Sequence, residues 1–168
     1  MKTLLILRHA KSSWNHATLN DYDRPLNDRG LKTAPLMGKL LLEKTIAPDA
    51  IFSSPAMRAI TTAQLIAKSI GHKHVILTVE QFYPGTPGDY IEILSSKGKN
   101  YSTIMVVGHN PGLEDLLKIL TGQSEHLPTG ALSQIELPIF NWSELTAKIK
   151  GSLIKVFRPK EIFKELIE

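Results

Sequence analysis

A chain of 168 residues with 20 Lys and Arg against 16 Asp and Glu has a formal net charge of +4, and its basic residues are scattered rather than gathered into a stripe. Such a chain is long enough for one domain, residues 1–168, to bury about two-thirds of its unfolded surface without staples, and its charge is too diffuse to track a nucleic-acid backbone. With no cysteine, no signal-peptide pattern and no apolar run approaching a membrane span, disulfides and membrane insertion are not expected, and the sequence reads as soluble and cytoplasmic.

The chain opens on TLLILRH, where Leu4 to Leu7 are four consecutive apolar residues. That is the pattern of a buried strand in a parallel sheet, so the cationic Arg8 and His9 belong at its exit. A helical stretch follows from Asp28 to Lys44, and Pro35 well inside it predicts a kink or a late start. DAIFSS is the second strand, and the helix from Pro55 to Ile70 has Ser54 in the capping position, Pro55 first and Gly71 as its left-handed stop.

HVILTV is the third strand. PGTPGD, Pro84 to Asp89, reads as a turn because it lacks the lysine and Ser/Thr of a Walker loop, and a short helical stretch follows near Asp89. TIMVVGH is the fourth strand, and the helix from Pro111 to Leu120, capped by Asn110 and closed at Gly122, places Leu113, Leu116, Leu117 and Leu120 on one face. ALSQIEL and GSLIKVF alternate better and have no good helix between them, so they finish the sheet with antiparallel character. The terminal RPKEIFKELIE mixes both charge signs at helical spacing and reads as a solvated helix. Strand alternating with helix predicts an α/β fold with a mostly parallel central sheet.

In such a sheet ligands bind beyond the carboxyl ends of the strands. Arg8 and His9 leave the first strand there, Ser53 and Ser54 the second with Arg58 one turn into the next helix, and His109 the fourth. One such group alone is ordinarily a cap or a solvated residue. Two arginines and two histidines from three segments repel one another unless an anion lies between them, and two helix N-termini add positive dipole ends to the same rim. The pattern points to a bound phosphoryl group.

The segments LRHA, SSPAMRAITTA and VVGHNPG resemble the three blocks of the histidine phosphatase superfamily, the phosphoglycerate mutase-like or RHG-motif family. LNDRG at Leu26 to Gly30 and PTGAL at Pro128 to Leu132 are similar to two further segments of it, and RPL at Arg24 to Leu26, with the short chain, looks most like the SixA-type phosphohistidine phosphatases. The resemblance implies a three-layer α/β/α fold. It also implies that His9 is the nucleophile that becomes phosphorylated, that Arg8, Arg58 and a protonated His109 hold the phosphoryl oxygens, and that Glu80, in VEQFYPG, supplies a proton to the leaving group. Arg24 becomes a further substrate contact, or else one half of a surface ion pair with Asp21 or Asp23. The family's RHG glycine is Ala10 here, so the backbone after His9 must follow a path open to ordinary residues. Lys11, Ser12 and Trp14 follow the nucleophile as candidates for the mouth of the site, with packing the other role for Trp14.

Other signals carry less. His72 and His74 stand two apart, but nothing in the sequence supplies the remaining ligands of a metal site, and there is no dinucleotide fingerprint, so no metal or cofactor is expected. Thr61 and Thr62 read as helix packing or as back-bonding to the helix. The expected activity is metal-independent hydrolysis of phosphohistidine on a protein or of a small phosphoester. The rivals are a mutase, which needs a closed cavity that this chain has little material to build, and a phosphate-binding module without turnover.

Overall fold

The computed structural model describes residues 1–167, and Glu168, which ends the charged C-terminal stretch, lies outside the described residues. Six strands form one sheet: β1 (Lys2–Arg8), β2 (Ala50–Ser53), β3 (Leu77–Thr78), β4 (Thr103–Gly108), β5 (Leu132–Leu137) and β6 (Ser152–Phe157), in the order β3-β2-β4-β1-β5-β6. β1 runs parallel to β4, with Leu4 opposite Ile104, and antiparallel to β5, with Leu4 opposite Ile135. β2 is parallel to both β3 and β4, and β6 closes the edge antiparallel to β5 with a register shift at Gln134/Ile135. The change to antiparallel pairing falls at β5, as the alternating sequence there predicts.

The apolar run of β1 is explained by helices on both faces, because successive side chains of a strand point to opposite sides. Leu5 and Leu7 join one core with Met37 and Leu41 of α1 (Asp28–Glu43) and Ala59, Ala63 and Ile66 of α2 (Met57–Ile70). Leu4 and Ile6 join the other with Tyr90 and Leu94 of α3 (Pro87–Lys97) and the predicted leucine face of α4 (Gly112–Thr121). These are the three layers. Short helices α5 (Pro159–Ile162) and α6 (Lys164–Ile167) close the chain.

Several local expectations are corrected. α1 starts on time at Asp28 and continues through Pro35. The carbonyl freed by the missing proline N–H belongs to Leu31, which is exposed, so water can take the bond. β3 shrinks to two residues at the sheet edge, where a short strand leaves few unpaired backbone groups. PGTPGD is only half a turn: Thr86 caps α3 through a reciprocal bond with Asp89, and Pro87 is its first residue.

The start of α1 is tied to the loop after β1. Asn27 N–H donates to Lys11 O at 3.0 Å, and a Cβ on Gly30 would overlap that same carbonyl oxygen. Gly30→Ala is therefore expected to destabilise the protein by about 2 kcal/mol through overpacking against backbone, seen as a lower urea midpoint with unchanged slope.

Candidate active site

His9 is the first residue beyond β1, and backbone bonds on it and on Arg8 fix its place. Its N–H donates to Gly108 O at the end of β4 (3.2 Å), and Gly130 N–H, in PTGAL, donates to both His9 O (2.9 Å) and Arg8 O (3.2 Å). Ala10 N–H donates to Thr62 Oγ1 at 3.0 Å, and that hydroxyl donates to Arg58 O at 2.7 Å. Thr62 bonds back to its own helix, one of the two roles expected from sequence, and it also joins the loop after β1 to the helix bearing Arg58. Ala10 is buried, and the described non-glycine residues with positive φ are Thr45 and Lys99, so the alanine follows an ordinary backbone path as expected.

The His9 ring has a defined tautomer. Nδ1 lies 2.7 Å from Ala10 O, and a carbonyl can only accept, so Nδ1 carries the proton. Nε2 keeps its lone pair and accepts from Arg58 Nε–H at 3.3 Å. Burial first, then His109, Arg58 and Arg8, push His9 down to about 3 against the opposing pull of the Ala10 carbonyl. The ring is neutral at pH 7, which is the form that can attack phosphorus.

His109 lies with its ring centroid 5.2 Å from that of His9, and its Nε2 is 2.8 Å from Ser54 Oγ. Burial, Arg58 and Arg8 lower it to about 4, with Asp21 opposing. The imidazolium expected from sequence is therefore a neutral ring in this setting, and a dianion brought between the rings would favour its protonation. Its Nδ1 is buried with no partner among the described residues, so a phosphoryl oxygen would satisfy an otherwise costly group. Ser54 and Asn110 are not helix caps. α2 and α4 take Ala56 and Pro111 in those positions, without side-chain caps; Ser54 Oγ meets His109 and accepts from Ala56 N–H at 3.2 Å, and Asn110 Nδ2 donates to Leu127 O at 2.9 Å.

Both histidines sit below their usual value near 6.5, so between roughly pH 3 and 6.5 the unfolded chain binds more protons than the folded one. Stability then rises with pH across that window and is lost as pH falls through it. The melting temperature is expected to drop from pH 7 to pH 4.5, less steeply for His109→Phe than for the parent.

Arg58 is buried at 6% exposure and is the second residue of α2. Besides His9 it holds Asp21, with Nη1 donating to the backbone oxygen (2.6 Å) and Nη2 to Oδ2 (2.9 Å). Tyr83 OH donates to that Oδ2 at 2.7 Å, and Arg24 Nη1 donates to Oδ1 at 3.0 Å. These donors, the Tyr83 hydroxyl foremost, hold the Asp21 carboxyl at about 2. Arg24 does pair with Asp21, yet it is a buried residue rather than a surface one, and its other nitrogens donate to Ser13 O (3.1 Å) and Ser12 Oγ (2.6 Å). Arg8 Nη1 donates to Leu127 O at 3.1 Å, while its Nε is buried without a partner among the described residues.

Arg8, His9, Arg24, Arg58 and His109 line one cavity of about 200 Å³, with Lys11, Ser12, Trp14, Asn110 and Thr129 around them. Glu80 is not on its wall: it is exposed and begins the 3-10 turn Glu80–Phe82. The sequence reading missed Asp21 and Tyr83, which set the posture of Arg58, and Thr129; only the acidic neighbours of Arg24 hinted at the first. A larger cavity, about 570 Å³, opens at the opposite edge of the sheet beside Asp49, His72 and His74. The two rings there lie 5.6 Å apart, and among the described residues no three His, Asp or Glu are grouped to hold a metal.

Cationic side chains thus converge around a neutral imidazole at the carboxyl rim of a sheet with the phosphoglycerate mutase-like fold. The model of the histidine phosphatase superfamily (branch 1) matches residues 4–81. An uncharacterized chloroplastic protein of Arabidopsis thaliana is 30% identical over 155 residues, 87% of this chain and 71% of the relative. The crystal structure of the putative phosphohistidine phosphatase SixA from Agrobacterium tumefaciens superposes with a TM-score of 0.80 at 25% identity, covering 94% of this chain and 98% of that one. The protein histidine phosphatase SixA complexed with tungstate gives 0.78 at 18% identity, covering 95% and 99%. The chain belongs to the histidine phosphatase superfamily, in its SixA-type branch, and its class of activity is that of a phosphatase acting on phosphorylated substrates. Among the described residues no helix is long and apolar enough to cross a membrane.

Proposed function

We propose that the protein hydrolyses phosphohistidine on a protein partner through a covalent phosphoryl intermediate on His9 Nε2. The observation that carries this is the His9 ring itself, protonated at Nδ1 by its bond to Ala10 O and open at Nε2 beside Arg58. Arg8, Arg58 and His109 hold the equatorial oxygens, where a loose transition state concentrates its charge. Water then attacks the phosphorus on His9 and releases inorganic phosphate.

The leaving group is argued from its proton. Residues lining the cavity include no carboxylate among those described, and Asp21, behind Arg58, is held ionised at about 2. Neither supplies an acid at pH 7. An alkyl ester needs one, because its alkoxide is a poor leaving group, whereas a phosphorylated imidazole takes a proton from solvent on its other ring nitrogen before the P–N bond breaks and so departs neutral. In this reading Glu80 assists ester substrates only, from outside the cavity wall. The small cavity and the short loop between His9 and α1 also suit a site that meets a side chain on a protein surface rather than the enclosed chamber of a mutase.

The test is rapid quench with a radiolabelled phosphohistidine protein. An acid-labile, base-stable label on the enzyme, released as phosphate at the turnover rate, supports the reading. Faster turnover of a small alkyl phosphate than of the phosphoprotein would redirect it to a phosphomonoesterase, and a bound but uncleaved donor to a binding module.

A further inference from the structure

A second lobe adjoins the His9 cavity, with Trp14 and Arg24 in the wall of both. It measures about 220 Å³ and is completed by His16, Ala17, Leu19 and Asp21. Trp14 is 76% exposed, an unusual position for the largest apolar side chain. It is not a loose surface group, because the Arg24 guanidinium lies 3.2 Å from the centre of its ring. Arg24 in turn is locked, each of its three nitrogens donating to Ser13, Asp21 or Ser12. The indole is therefore held by one face and offers the other, at the entrance to the phosphoryl site.

Resting on the reading of His9 as nucleophile, we propose that this lobe is the leaving-group subsite and that it takes a flat nitrogen heterocycle, stacked on the open face of Trp14. A rigid aromatic surface gives such a ring contact area at little cost in order. The lobe's charged groups argue the same way. Asp21, in the wall of the lobe and bonded to Arg24, repels a further anion, so a leaving group bearing a carboxylate or second phosphate is disfavoured against a neutral ring. With the ring in the lobe, His9 Nε2 gives its lone pair to phosphorus as the P–N bond to the leaving ring breaks. That bond's electron pair stays on the nitrogen that is released, the ring's other nitrogen having taken a proton from solvent beforehand so that the ring departs as neutral imidazole, and water later displaces phosphate from Nε2 and loses its proton to solvent.

N-phosphorylimidazole and phosphoramidate share the scissile P–N bond and differ in the ring. Trp14→Ala is expected to lower the ratio of their kcat/KM values about tenfold, the size of one aromatic stack, and Trp14→Phe to restore most of it. An unchanged ratio overturns the subsite, whether both substrates slow equally, as they would if the indole only propped Arg24, or neither does. Quenching the parent with labelled phosphoramidate separates the premises. A phosphoenzyme with an unchanged ratio sinks the subsite alone, whereas no phosphoenzyme sinks the His9 reading and the subsite with it.

Discussion

A His9→Ala variant is expected to lose turnover by roughly a millionfold, the scale on which removing the nucleophile acts in an enzyme that works by covalent catalysis, and to acquire no acid-labile phosphate. The loss should fall on kcat. Alanine leaves Arg8, Arg58 and His109 around the cavity, so the clamp on the phosphoryl oxygens survives and the dissociation constant for an oxyanion such as tungstate should change little. The fold should survive too, because the backbone of residue 9 is held through Gly108 and Gly130 rather than through the ring. Steady-state rates, single-turnover quench and tungstate titration on one preparation check all three. Retained turnover in the variant would mean that water attacks the substrate directly, and the covalent mechanism would fall.

The parts of the site that sequence makes legible are those set by topology. Arg8, His9 and His109 follow strands whose apolar runs mark them as central, and the exits of parallel strands share one rim. Arg58 is legible because it stands in the first turn of a helix that starts from that rim. What stays hidden depends on partners distant in the chain. Asp21 is 37 residues from Arg58 and looks like an ordinary acidic neighbour of Arg24 until the fold brings the two arginines to its opposite oxygens. Ser54 and Asn110 fit the helix-cap rule, yet the helices start later, at Met57 and Gly112, and the two side chains reach His109 and Leu127 O, partners that residue order does not show. The charge on His109 is hidden for the same reason: its sign follows from burial and neighbouring guanidiniums, neither of which is written in residue order. Glu80 shows the converse, a local motif match whose side chain the fold leaves off the cavity wall.

The same cluster explains how two buried arginines coexist beside a neutral histidine. Arg24 and Arg58 share one carboxylate, which remains about half exposed and so retains part of its hydration. Tyr83 adds a neutral donor to Oδ2 and stacks edge-on, 5.5 Å from the His109 ring. Asp21 is thereby a template for Arg58, binding its outer nitrogens and leaving Nε aimed at His9 Nε2, where a phosphoryl group would arrive.

Arg58→Ala should accordingly reduce kcat/KM by a few hundredfold, about 3 kcal/mol in the barrier, as expected for loss of one preorganised charged donor at the transferring group. Arg58→Lys should recover little, since an ammonium cannot bond Asp21 and the phosphoryl site in the fork geometry of a guanidinium. Asp21→Ala leaves Arg58 in place but unfixed, and about a tenfold loss is expected in the parent background. In the Arg58→Ala background the same change should cost much less, only what it contributes through Arg24, so the double-mutant cycle should give a coupling of about 1 kcal/mol or more. If the two losses simply multiply, Asp21 acts independently of Arg58, and the template role is wrong while the clamp is untouched by that result. If Asp21→Ala speeds turnover, the carboxylate competes with substrate for Arg58 instead of aiming it, and KM for the phosphorylated substrate should fall in the same variant.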